Sequence, residues 1–421
     1  MKKSVRRMVS FITAVLLVAL MAVPVCAEPD ETETSVYAAI KGTQITFYKY
    51  LVVEKNASIP AAEFEFSIAA GGTVTPESTG ELEVFAGPDA DKIVIGTEGK
   101  TTFTAGQATT DGAADDGITN STDKKYAKND VAVDLTEVSF THPGVYRYII
   151  TETAQAPGSV FTNDSVATRT LDVYIQDDNG TLEVQGYVMY SGTVTKAPKT
   201  TASGSATVPA NGAEPTGAEK SDKYVNSYTT YSLTAGKQVT GNQGSKDKYF
   251  KFTITLTGDV VADDNYYTVV TAGYDTTPTK TDSTSYETMT QPSDANTSAD
   301  GVQVKGSTLK SGLDVYLKHG QYIKIEGIPS GAGYKVAEEA EKYTSTASSS
   351  TNTVSYSSFN AMDDVEGTLT GDKVVGFKNN KDGVIPTGIL LSATPWIIIG
   401  VVVVAGIVFF AVRSRKKYDE E

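Results

Sequence analysis

Two lysines fall in apolar rows. Side chains on a strand alternate faces, so every second residue shares one face. Around Lys49 one face reads Ile45, Phe47, Lys49, Leu51 and Val53. Around Lys237 it reads Tyr231, Leu233, Ala235, Lys237 and Val239. The same alternation groups Glu152 with Tyr146, Tyr148 and Ile150, and Glu338 with Tyr334 and Val336. An asparagine follows each set: Asn226 beside Tyr224, and Asn379 on the face of Val375 and Phe377.

A charged lysine or glutamate buried alone costs roughly 4–7 kcal/mol. One arrangement that relieves this cost is a Lys–Glu ion pair, or a lysine reaching out at a strand end. The other is covalent. Burial makes the lysine neutral and therefore nucleophilic. It keeps the glutamate protonated, able to hydrogen-bond the asparagine carbonyl and to shuttle protons as ammonia leaves. The product is a neutral amide where a buried cation stood. Proximity in the folded core supplies the rate, and no cofactor is needed.

These residues must be carried on strands. The chain shows short alternating runs separated by Gly, Pro and Asn turns, and no clear amphipathic helix. Asp177-Asp178-Asn179-Gly180 between two such runs is a hairpin signal. The pattern predicts an all-β chain of immunoglobulin-like sandwiches. An internal repeat divides it. Phe64-Glu-Phe66 answers to Phe250-Lys-Phe252, and Tyr148 through Glu152 to Tyr334 through Glu338, both at a spacing of 186 residues. The lysines are 188 apart. The expected domains are 28–227 and 228–383, with a Thr/Ala/Pro/Gly-rich mobile loop at 191–222 and a polar, loop-forming stretch at 275–312.

Both ends read as targeting signals within the 421 residues. Residues 1–27 combine Lys2, Lys3, Arg6 and Arg7 with an apolar stretch and Val25-Cys26-Ala27, a signal peptide cleaved after Ala27. Its removal takes the single cysteine, so the exported chain can form neither a disulfide nor a cysteine thioester. Residues 389–412 carry no charge and as a helix would span about 36 Å, enough to cross a bilayer. A basic cytoplasmic tail, 413–421, follows. Before the span stands Val384-Ile385-Pro386-Thr387-Gly388. The segment 28–387 holds 28 basic and 48 acidic residues, a net charge of −20, which argues against a nucleic-acid partner.

Pro-Thr-Gly, an apolar span and a basic tail resemble a Gram-positive cell-wall sorting signal, in the shorter variant of some pilins. The resemblance implies cleavage by a sortase between Thr387 and Gly388 and transfer of the threonine carboxyl to an amine. Taken with the repeated Lys, Glu, Asn order, the chain resembles the streptococcal-type backbone pilins. Their tandem immunoglobulin-like (CnaB-like) domains form Lys–Asn isopeptide bonds. The resemblance implies the trios Lys49, Glu152, Asn226 and Lys237, Glu338, Asn379, each glutamate assisting the bond. It further implies an acceptor lysine shortly before Asn226, for which Lys220 is the positional match, with Lys223, Lys196 and Lys199 nearby. The partners it implies are a pilus-class sortase, other copies of the chain, minor pilins and cell-wall peptidoglycan. The expected location is the cell surface, by way of a membrane-anchored precursor.

The competing reading is a wall-anchored adhesin that binds a host ligand and does not polymerise. An enzyme reading has little support. His142 in Thr-His-Pro-Gly and His319 in Lys-His-Gly sit in turns without a nucleophile motif. Paired carboxylates carry no specific signal in so acidic a chain. Asp177-Asp178-Asn179-Gly180 lacks the spacing of a calcium loop, so no metal is expected.

Overall fold

The computed structural model describes residues 37–39, 43–199, 215, 217–274, 278–279, 296–298, 301–350, 365–383, 399 and 401–409. The signal peptide, the sorting motif with Thr387 and Gly388, the tail and most of the apolar span lie outside these residues. Residues 401–409 are helical. Among the described residues no helix is long and apolar enough to cross a membrane.

The alternating runs become strands, and among the described residues the strands form four sheets in two sandwiches. The first half of the chain builds two sheets. One runs, in spatial order, Tyr37–Ala39, Thr181–Ser191, Thr168–Asp178, Gly144–Glu152, Ala62–Ala70 and Lys100–Phe103. The other runs Phe161–Thr162, Lys223–Tyr228, Gln44–Glu54, Lys124–Asp134 and Val94–Ile95. Between them lies an apolar core that includes Phe47, Phe64, Phe66, Tyr148 and Tyr224. The second half repeats the plan. Thr230–Thr240 lies between Gln321–Pro329 and Lys373–Asn380 in one sheet, and Phe250–Thr257 lies between Leu313–Leu317 and Gly333–Glu338 in the other. Leu233, Phe250, Phe252, Val336 and Phe377 fill that core.

The plan fixes who faces whom. In each half the strand bearing the lysine pairs in parallel with the strand bearing the asparagine. The strand bearing the glutamate belongs to the facing sheet. The inward faces are as expected: Ile45, Phe47, Lys49, Leu51 and Val53 are all buried, as are Leu233, Ala235, Lys237 and Val239, although the second lysine strand is covered on its other face too, where Ser232, Thr234 and Gln238 are buried. Asn179 and Gly180 both adopt positive φ, 54° and 90°, which the two-residue hairpin turn requires.

Two segments read as loops are more ordered than their composition suggests. At 191–222, the described ends are tied to the sheet. Arg147, itself fully buried in a two-toothed ion pair with Asp172 (both contacts 2.7 Å), donates to Val194 O and Lys196 O. Ala197 is buried in a small apolar cluster with Val84, Val145, Tyr174, Val188 and Tyr190. Downstream, Ser191 N donates to Glu219 O and Ser221 N to Met189 O, which stitches the chain to the edge of Thr181–Ser191. At 275–312, Gly301–Lys305 is a strand and Gly306–Ser311 a short helix. Val302, Val304 and Leu309 enter the core, apolar anchors hidden among polar neighbours.

The loop after the first lysine strand contacts the second half. Ala61 N donates to Asn265 Oδ1 at 3.0 Å, Thr268 Oγ1 to Asn56 O at 3.1 Å, and Gln303 Nε2 to Ser58 Oγ at 3.1 Å.

Candidate functional site

The structure brings Lys49, Glu152 and Asn226 together inside the first core. Lys49 sits on a strand whose alternating pattern points it inward, and its side chain has no exposed surface. Its Nζ donates to Glu152 Oε2 at 2.7 Å and to Asn226 Oδ1. The ammonium lies 4.3 Å from the centre of the Phe64 ring. Asn226 follows cleanly from its own strand, where Tyr224, Asn226 and Tyr228 are buried and their neighbours are not. Asn226 Nδ2 and Glu152 Oε1 are buried without a hydrogen-bond partner.

Burial pushes the Lys49 amine down to about 8, although the nearby Glu152 carboxylate pulls it back up. Burial pushes the Glu152 carboxyl up, against the opposing effect of Lys49. Both shifts run toward the uncharged forms of the two groups.

The second core holds the same trio. Lys237 Nζ donates to Glu338 Oε1, and the two side chains are 0% and 1% exposed. Asn379 Nδ2 donates to the same Oε1 at 3.0 Å, and Ser345 Oγ donates to Oε2 at 3.0 Å. Lys237 lies 4.2 Å from the Phe250 ring centre. Burial brings its amine down to about 8, with Glu338 opposing.

The chemistry open to each trio is amide formation. Nζ can add to the asparagine Cγ, the Cγ–Nδ2 bond then breaks, and Nδ2 leaves as ammonia with a proton relayed from the amine by the glutamate. The first site presents the amine to the amide oxygen, and the second presents the carboxyl to the leaving nitrogen.

Sequence reasoning did not assign a role to Phe64 and Phe250, the first aromatic of each repeated pair. Their rings lie against the buried amines, at 4.3 and 4.2 Å from ring centre to nitrogen. The repeat spacing already carried that signal. Of the acceptor candidates, Lys220 stands half-buried opposite Tyr190 at the sheet edge. Lys223 Nζ donates to Gly117 O at 2.9 Å, and Lys196 and Lys199 are exposed. The histidines have local roles. His142 O accepts from Tyr146 Oη at 2.9 Å, and His319 Nδ1 accepts from Val239 N at 2.9 Å.

Comparison with known proteins follows the same division of the chain. Residues 45–229 match a family described as the Spy0128-like isopeptide containing domain. Residues 231–381 match a domain of unknown function, DUF7601. A protein named pilin from Streptococcus pyogenes serotype M1 is 25% identical over 383 residues, covering 89% of this chain and 92% of its own length. A solved major pilin from Streptococcus pyogenes is 22% identical, with a TM-score of 0.47, over 82% of this chain and all of that one. A second, the T3.2 major pilin, is 20% identical with a TM-score of 0.48, over 83% of this chain and all of that one.

Proposed function

We propose how this chain, a structural pilin subunit of the Gram-positive backbone type, is built to bear load: each of its two sandwiches closes with a Lys–Asn isopeptide bond. The bonds are Lys49–Asn226, assisted by Glu152, and Lys237–Asn379, assisted by Glu338. The observation that carries this reading is the burial of each lysine against its glutamate beside an aromatic ring, with Asn226 touching Lys49 and Asn379 touching Glu338. An ion pair alone would explain the glutamate. It does not explain an asparagine brought to each pair from a parallel neighbouring strand.

The first bond spans 177 residues of sequence and would stabilise its domain by roughly 5 kcal/mol in the chain-entropy model. It also short-circuits those residues under tension, because lysine and asparagine strands lie side by side. The subunits are joined by a sortase that cleaves after Thr387 and passes its carboxyl to Lys220 of the next copy, with peptidoglycan as the final acceptor. The chain reaches the cell surface by way of a membrane-anchored precursor, and it acts as a sortase substrate rather than as an enzyme.

Cell-wall extracts of the native strain test the polymer. A ladder of species that survives boiling in detergent is expected, and Lys220→Arg should collapse it to monomer. A monomer-only wild type would favour the non-polymerising adhesin. A ladder unaffected by Lys220→Arg would move the acceptor to another lysine.

A further inference from the structure

The asparagine strand of the first site is held differently from its counterpart. Phe161–Thr162 pairs with its outer edge only at Tyr228 and Ser227. Upstream, where Lys223 and Val225 present backbone groups on the same side, no strand pairs with that edge among the described residues. Two side chains take the strand's place. Asp164 Oδ2 accepts from Val225 N at 2.8 Å. Arg169 donates to Lys223 O through Nε at 3.1 Å and Nη2 at 2.6 Å. The two are ion-paired at 3.1 Å, with side chains 9% and 4% exposed.

Both groups are themselves fixed. Asp164 Oδ1 accepts from Val166 N at 2.8 Å, and Arg169 Nη1 donates to Thr168 O at 2.9 Å. The guanidinium also lies 4.4 Å over the ring of Tyr224. Tyr224 Oη donates to Ile150 O at 2.9 Å, on the strand that carries Glu152 two residues later. The clamp therefore ties the asparagine strand on its outer edge and, through Tyr224, to the glutamate strand. Asn226 is the next inward residue along.

We infer that Asp164 and Arg169 are positioning residues for the first crosslink: they replace a missing strand at Lys223–Val225 and so hold Asn226 against Lys49 and Glu152. The inference rests on the reading that this crosslink forms. The second site needs no such clamp, because Thr344–Ser350 pairs with its asparagine strand along seven residues, Ser345 opposite Asn379. A strand out of register by a fraction of an ångström separates amine from carbonyl, and misplacement of 1 Å can cost about 100-fold in rate.

The test uses residues 28–387 made by cell-free synthesis and sampled over time, each bond followed by peptide mapping. Asp164→Ala and Arg169→Ala should slow Lys49–Asn226 by roughly 10–100-fold. Lys237–Asn379 should keep its rate and serves as the folding control in the same molecule. Arg169→Lys, which keeps a cationic donor for Lys223 O, should recover part of the loss. First-bond formation at the unsubstituted rate in both alanine variants would overturn the clamp alone. Equal slowing of both bonds would also overturn it, as a general folding defect. Absence of the first bond from the unsubstituted chain would overturn the crosslinking reading on which the clamp rests.

Discussion

The first and second sites hold the same three residue types in different frames. In the first, the asparagine strand lies near the margin of its sheet, and Asp164 with Arg169 secure part of its outer edge. In the second, the asparagine strand is likewise next to the last strand of its sheet, but that strand, Thr344–Ser350, pairs with it along seven residues. The glutamates differ as well. Glu338 accepts from Ser345 Oγ in addition to its lysine and asparagine, a hydroxyl contact not seen at Glu152 among the described residues. The two sites share three side chains and an aromatic ring, while the means of holding the asparagine strand differs. Side-chain alignment can be lost through one substitution, but a paired strand spreads the same task over many backbone hydrogen bonds.

The largest expected effect separates the bonds outright. Glu152→Ala should leave only the second bond, and Glu338→Ala only the first, each visible as one ammonia retained in the intact mass. Each variant should lose at least the roughly 5 kcal/mol of its bond, plus the cost of a lysine left buried without its carboxylate, and the two losses should be similar because the closed loops differ little in length. A much larger loss at one site, read by calorimetry of the two variants, would mean that its frame depends on the bond.

A smaller effect concerns pH. In Asn226→Ala/Asn379→Ala, the lysines and glutamates remain but no bond can form. Each amine then titrates near 8 when folded and near 10.5 when unfolded. Between these values the unfolded state binds more protons, so stability should rise with pH by on the order of 1–3 kcal/mol. The crosslinked chain has no such amines and should lack this rise. Denaturant titrations of both proteins from pH 7.5 to about 10.5 compare them directly. Parallel curves would remove the buried-amine account.

The smallest effect sharpens the contrast between the glutamates. Ser345→Ala removes one hydrogen bond to Glu338, worth about 0.5–1.5 kcal/mol. It should slow the second bond several-fold at most and leave the first untouched. Timed peptide mapping reads both; a complete loss of the second bond would make Ser345 part of the essential trio.

Much of this was legible in the sequence, for definite physical reasons. Strand alternation is strict, so a lysine at Lys49 or Lys237 had to share a face with its apolar neighbours. Repetition at matching spacing then picked the glutamates out of an acidic, polar background, and the asparagines followed from their place near each domain's end. The all-β sandwich class followed from the same periodicity. The clamp was not legible. Asp164 and Arg169 act through backbone atoms of Lys223 and Val225, more than 50 residues away, and the second half does not repeat them. Arg147 and Asp172 were hidden for a related reason. They lie on the sheet face opposite the main core, which the pattern marks as solvent-facing until the Val194–Pro198 segment covers it. The strand and helix at Gly301–Ser311 were masked by Ser, Thr and Gly composition, although Val302, Val304 and Leu309 supply the burial.

The central claim is that two amides form without any partner protein. The intact mass of recombinant residues 28–387 tests it most directly. A mass short of the sequence value by two molecules of ammonia, with linked peptides Lys49–Asn226 and Lys237–Asn379, is the predicted result. A mass equal to the sequence value, with all four residues recovered in unlinked peptides, would contradict it and return both trios to buried ion pairs.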